Sequence, residues 1–205
     1  MTDIAPSSIF AYEPVLDGAR DRRYVMFNVD WDIYERLRDR LGNGVRLTYD
    51  EGTLELMSPG YTHEDLKTLI ARLLEAWAEE NDVDLNGYGN VTLKQLERRA
   101  LEPDECYCVG RTQSTPDIAI EVITSSSHID KLELYRTLGV REVWAYTKEK
   151  FVILELRDSV YFTRCDSGVL PGLDINQLAT FVGPNANQTS QVKEYRRALQ
   201  LRRSL

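Results

Sequence analysis

The sequence predicts an α/β (α+β) domain in which a mixed β-sheet is flanked by helices. Three observations carry this expectation. The stretch THEDLKTLIARLLEAWAEEN, residues 62–81, repeats apolar side chains at helical spacing. Much of the remaining chain falls into short alternating apolar runs bounded by Gly, Pro, Asn or Asp. Helical and strand segments also interleave along the chain, an order that places helices around one sheet.

The elements follow in order. Residues 1–23 show weak patterning and read as an N-terminal arm, with room for a short strand. VDWDIYERLRDRLG spaces Trp31, Ile33, Tyr34, Leu37 and Leu41 as a helix, with Asp30 placed to cap it and Gly42 to stop it. VRLTY and TLELM flank Asp50-Glu51-Gly52, a hairpin signal. In the long helix, Leu66, Leu69, Ile70, Leu73, Leu74 and Trp77 form one stripe, Thr62 is a suitable N-cap, and Glu64 and Asp65 suit the first turn. VDLNGYGNVTL reads as a glycine-interrupted strand. EPDECYCVG and TPDIAIEVI read as two strands joined through GRTQS. SSSHIDKLELYRTLGV predicts a second helix ending at Gly139. EVWAYT, KFVILEL and VYFTRC predict three strands, and NQLATFV a final helical piece. The last segment, 183–205, reads as a basic tail, either a short helix or a loose end, carrying Lys193, Arg196, Arg197, Arg202 and Arg203.

Bulk properties narrow the function classes. A chain of 205 residues with 42% apolar content builds one domain with a proper core. No apolar run is long enough to span a bilayer, so no membrane partner is expected. The N-terminus lacks a signal-peptide pattern, and three cysteines in no metal-binding spacing suit a reducing, cytoplasmic setting. The net charge of −8 argues against nonspecific coating of nucleic acid. A carboxylate metal site would account for part of that charge, because bound cations offset it.

The carboxylates are therefore the residues to place. In TPDIAIEV, alternation puts Asp117, Ala119 and Glu121 on one face and Ile118, Ile120 and Val122 on the other. Glu121 lies deep in an apolar run, where an acidic side chain needs a partner or a cation. Asp117 sits at the strand edge behind Pro116, where a turn role is easy. Asp104 follows Pro103, and its strand brings it beside Glu121 if the two strands pair as a hairpin. Two carboxylates on adjacent strands suit Mg²⁺, which takes one or two carboxylates, keeps several waters and shares a substrate phosphate. The plainer reading also stands: Pro-Asp pairs are common at turns, and a single strand Glu often meets Arg or Lys. His63 and Glu64 open the first long helix, and Lys131 lies in the second.

These segments resemble a known family. PDECYCV, then TPDIAIEVITSSS, then DKLELYRTLGVREVWAY, together with LELMSPGYTHEDL, resemble the Uma-type restriction endonucleases common in cyanobacteria. That family belongs to the PD-(D/E)XK nuclease superfamily. The resemblance covers about residues 24–182, so it implies a nuclease-like domain there, with a restriction-endonuclease-like core. It implies Asp104 and Glu121 as metal ligands and Mg²⁺ as cofactor, with Mn²⁺ a possible substitute. It favours Asp104 over Asp117, which stays a second choice at the rim. Glu64 resembles the superfamily's accessory acidic residue. His63 is a second choice that could touch phosphate or position Glu64. The pattern expects a lysine two residues after the glutamate, and that position is Ile123. Lys131 resembles a migrated lysine, able to stabilise charge on the phosphate or the attacking water.

The implied activity is hydrolysis of DNA phosphodiester bonds. Two other readings stay open: a nuclease fold without catalysis, favoured by Ile123 and the acidic charge, and a metal-dependent nuclease acting on RNA. A homodimer would let two sites cut both strands of a symmetric target.

Overall fold

The computed structural model describes residues 20–203 other than residue 112. The expected N-terminal arm therefore lies mostly outside the described residues. Its last part opens strand β1 (Arg22–Met26). Helix α1 (Trp31–Leu41) follows and stops at Gly42, which has φ of 60°. Asp30 holds the N-cap position, but its side chain makes no capping hydrogen bond. Strands β2 (Arg46–Asp50) and β3 (Thr53–Ser58) form the expected hairpin. Glu51 and Gly52 both have positive φ, which gives the two-residue turn a twist that matches its strands.

Helix α2 (Tyr61–Glu80) begins one residue earlier than the expected cap. Gly60, not Thr62, is its N-cap, and the Gly60 N–H donates to Asp21 at 3.0 Å. The segment expected as one interrupted strand splits between two sheets. It gives β4 (Leu85–Gly87) and β5 (Leu93–Gln95). Then come β6 (Arg99–Leu101), β7 (Glu105–Val109) and β8 (Ile118–Val122). Helix α3 (Lys131–Leu138) is capped by Asp130, which accepts from the Glu133 N–H, and ends at left-handed Gly139. Strands β9 (Glu142–Thr147), β10 (Lys150–Arg157) and β11 (Val160–Arg164) follow, then α4 (Ile175–Ala179) and α5 (Gln188–Arg203).

The strands form a six-stranded mixed sheet, β11-β10-β9-β8-β7-β4, in which only β8 and β9 run parallel. A second sheet of five antiparallel strands, β1-β3-β2-β6-β5, was not separable from the first by sequence. The α+β class with a mixed sheet flanked by helices is thus the observed architecture. Ile118, Ile120 and Val122 meet the α2 stripe on one face of the mixed sheet. Ala119 meets Leu132, Leu134 and Tyr135 of α3 on the other. Helix α1 covers the antiparallel sheet through Tyr34, packed with Trp31 and Tyr49.

The segment read as a basic tail forms α5, and Tyr195 on it is fully buried against the α2 core. Asp65 accepts from the Asn185 N–H at 3.0 Å and from the Gln188 amide at 2.7 Å, holding the start of α5. Among the described residues, no helix is long and apolar enough to cross a membrane.

Candidate active site

The chain crosses from the antiparallel sheet to the mixed sheet between β6 and β7, through Glu102, Pro103 and Asp104. Strand β7 then pairs with β8 as Glu105↔Ile120 and Cys106↔Ala119. Continuing that register by one residue sets Asp104 beside Glu121. The Val122 N–H donates to Asp104 Oδ2 at 2.8 Å and fixes this alignment. The hairpin anticipated from the sequence therefore brings the two carboxylates together. Both are buried, Asp104 at 1% exposure and Glu121 at 3%.

Each carboxylate is answered by cations from other elements. Lys131, the first residue of α3, donates to Glu121 Oε2 at 2.7 Å, and Tyr135 Oη, one turn on, donates to Oε1 at 2.5 Å. Ile123 follows Glu121 on the same face of the chain and packs among the α3 core residues. The amine absent at position 123 thus arrives from the adjacent helix. Arg46 at the start of β2 donates from Nε to Asp104 Oδ1 at 3.0 Å and from Nη2 to Glu64 Oε1 at 2.9 Å. His63 lies between two acids: Nε2 is 2.9 Å from Asp104 Oδ1, and Nδ1 is 3.3 Å from Asp21 Oδ2. Its Nε2 is an ion-pair neighbour of Asp104 without the alignment of a good hydrogen bond.

Electrostatics follow from this packing. Burial alone would raise the Asp104 carboxyl, but His63, Lys131 and Arg46 outweigh it and hold the group below the usual carboxylate range. Burial disfavours a charged His63, yet Asp104 and Asp21 prevail and lift its pKa to about 9. Glu121 goes the other way: burial raises it, Lys131 opposes, and the neighbouring charge of Asp104 adds to the rise.

Asp117 is placed elsewhere. Its carboxylate accepts from the Val109 N–H at 2.9 Å and the Gln113 amide at 3.1 Å, fastening the β7–β8 connection. It stands four residues, about 13 Å, along the strand from Glu121.

Several participants lie outside the residues singled out by sequence. Asp21 accepts from Thr124 Oγ1 at 2.5 Å and Ser125 Oγ at 2.9 Å, joining β1 to the segment after β8. Arg23 donates to Ser125 Oγ at 2.8 Å and to Glu55 Oε1 at 2.5 Å. Glu55 also accepts from the His128 N–H at 2.7 Å. Glu55 sits between Leu54 and Leu56 in its strand, the same signal that marks Glu121. Arg46 and Asp21 carry no such signal.

The donor set suits a hard cation. A carboxylate has about four lone-pair sites. Glu121 uses two, for Lys131 and Tyr135, and Asp104 faces Arg46, His63 and the Val122 N–H. Both retain capacity, as an ion held by two carboxylates and water requires. Among the described residues, no group of three or more His, Cys, Asp or Glu is arranged to hold a metal.

Comparison with known proteins adds the following. A family model described as "Uma2: Putative restriction endonuclease" matches residues 31–181. No curated protein matches the chain. Among solved structures, it is similar to a crystal structure described as "a putative nuclease belonging to DUF820" from Anabaena variabilis ATCC 29413. The two share 13% identity over 80% of this chain and 99% of the other, with a TM-score of 0.44.

Proposed function

Because the chain belongs to the family described as "Uma2: Putative restriction endonuclease", we propose that it is a Mg²⁺-dependent endonuclease that hydrolyses DNA phosphodiester bonds. The observation that supports this most is the placement of Asp104 beside Glu121, with the Lys131 amine 2.7 Å from Glu121.

In this reading Asp104 and Glu121 hold the ion. A bound divalent ion supplies Lewis acidity toward the phosphoryl oxygens and a water of lowered pKa. Lys131 presents a positive charge where negative charge develops on the phosphate. Tyr135 donates to Glu121 Oε1, the oxygen that Lys131 does not bond. His63 and Arg46 keep Asp104 ionised and oriented. Glu64, 38% exposed and bonded to Arg46, stands at the edge as an accessory acid able to act through water. Ile123 favours a fold without catalysis, and the position of Lys131 on Glu121 answers that objection. The three cysteines are free, which accords with a reducing cytoplasm. A homodimer belongs to the same reading as the form that would cut both strands, and sedimentation of the intact protein tests it.

The decisive experiment is plasmid nicking with Mg²⁺ or Mn²⁺, run beside an RNA of similar length. Asp104→Asn and Glu121→Gln are each expected to lower the DNA rate by about a thousand-fold. Undiminished nicking by both variants would overturn the assignment. RNA cut in preference to DNA would change the substrate.

A further inference from the structure

The first turn of α2 separates two recesses. One, of about 320 Å³, is lined by Arg20, Arg22, Ser58, Tyr61 and Glu64. The other, of about 350 Å³, is lined by Arg20, Asp21, His63, Thr124, Lys148 and Glu149 among others. Arg20 borders both. The turn's own side chains, His63 and Glu64, lead inward to Asp104 and Arg46. The two recesses thus flank the residues that contact Asp104 and Arg46, while Asp104 and Glu121 themselves line neither.

The charges around this mouth divide into two groups. Arg23, Arg46, Lys67 and Lys131 are tied to carboxylates. Arg20, Arg22 and Lys148 have no ion pair among the described residues. In a chain of net charge −8, these three cations gather around adjoining recesses. Aromatic rings accompany them. Strand β1 is an edge strand, and Arg22, Tyr24 and Met26 face solvent from one side of it. Arg22 and Tyr24 are two residues apart, about 7 Å. Tyr24 is 62% exposed, and Tyr61, beside Arg20 and Arg22, is 88% exposed.

One exposed tyrosine is ordinary on any surface. Two beside guanidinium groups that make no ion pair among the described residues are a combination that nucleic acid fits. Phosphates need the cations, and rings need flat apolar faces. A duplex keeps its base faces stacked inside, whereas an unpaired strand offers them.

We infer that this mouth is a track for single-stranded nucleic acid, with unpaired bases stacking on Tyr61 and Tyr24 and phosphates running along Lys148, Arg20 and Arg22. The inference rests on the nuclease reading and adds the form in which the strand is presented.

Fluorescence anisotropy tests it with a labelled single-stranded DNA of about twelve nucleotides and its duplex, both in EDTA so that no cleavage occurs. The single strand is expected to bind at least about ten-fold more tightly than the duplex. Tyr61→Ala should weaken single-strand binding about ten-fold, and Tyr61→Phe should retain it. Arg22→Glu should weaken binding and flatten its salt dependence. Equal affinity for both forms, or Tyr61→Ala and Tyr24→Ala proteins that bind the single strand like wild type, would overturn the track, as would no binding at all. Tyrosine-dependent binding without any cleavage of the single-stranded oligonucleotide in Mg²⁺ would remove the nuclease reading and leave the track standing. Cleavage of that oligonucleotide that ignores both tyrosines would do the reverse.

Discussion

Glu121 is a buried acid whose charge depends on its neighbours. Removing Lys131 leaves that acid facing Asp104 with no amine to offset it. Breaking a buried ion pair in this way costs about 3–5 kcal/mol. Lys131→Met should lower the urea midpoint accordingly, and adding Glu121→Gln should restore most of the loss. A Lys131→Met protein as stable as wild type would mean that the pair does not hold Glu121 in place. His63 gives a pH signature. Its folded pKa of about 9 lies above the ordinary value of 6.5, so the folded state binds the proton more tightly than the unfolded chain. The resulting stabilisation is fully present below pH 6.5 and is lost as pH rises through about 9. Urea midpoints should therefore fall between those values, and His63→Gln should flatten the fall. A wild-type midpoint unchanged over that range would contradict the ion-paired histidine.

At the level of elements, α5 is the clearest addition to what the sequence announced. Tyr195 is fully buried against the α2 core, on a helix whose other positions are mostly polar. Tyr195→Ala should cost about 3 kcal/mol by calorimetry or urea unfolding. A change below about 0.5 kcal/mol would mean that α5 only lies on the surface. Helices α2 and α3 and the β2–β3 and β7–β8 pairings were legible because an apolar period states which face is buried and turn residues mark where the chain reverses. It does not state which sheet a strand joins. Leu85–Gly87 and Leu93–Gln95 read as one interrupted strand and belong to different sheets. The site divided along the same line. Asp104, Glu121 and Lys131 stood out through a strand acid and a helix amine, and they converge. Asp21 and Arg46 reach the site only because the second sheet lies against the first, and no local pattern announces that. Thr62 misled as a cap because the helix already begins at Tyr61, which puts Thr62 inside its first turn.

For the whole molecule, a cation held by Asp104 and Glu121 should appear as stability. A ligand at a hundred times its Kd adds about 2.7 kcal/mol, or some 5–10 °C in Tm for a chain of this size. Mn²⁺ should raise the Tm by that order, EDTA should reverse the rise, and Asp104→Asn should abolish it. An unchanged Tm at millimolar Mn²⁺ would count against the metal centre. The same long-range wiring bears on biosynthesis. Asp21 and Arg23 bond Thr124 and Ser125 across 102 to 104 positions of sequence, and Lys131 lies further still toward the C-terminus. A growing chain folds from its N-terminus as it leaves the ribosome. Until α3 has emerged it carries the acids without the amine that completes their setting, so a half-made copy holds an unfinished site.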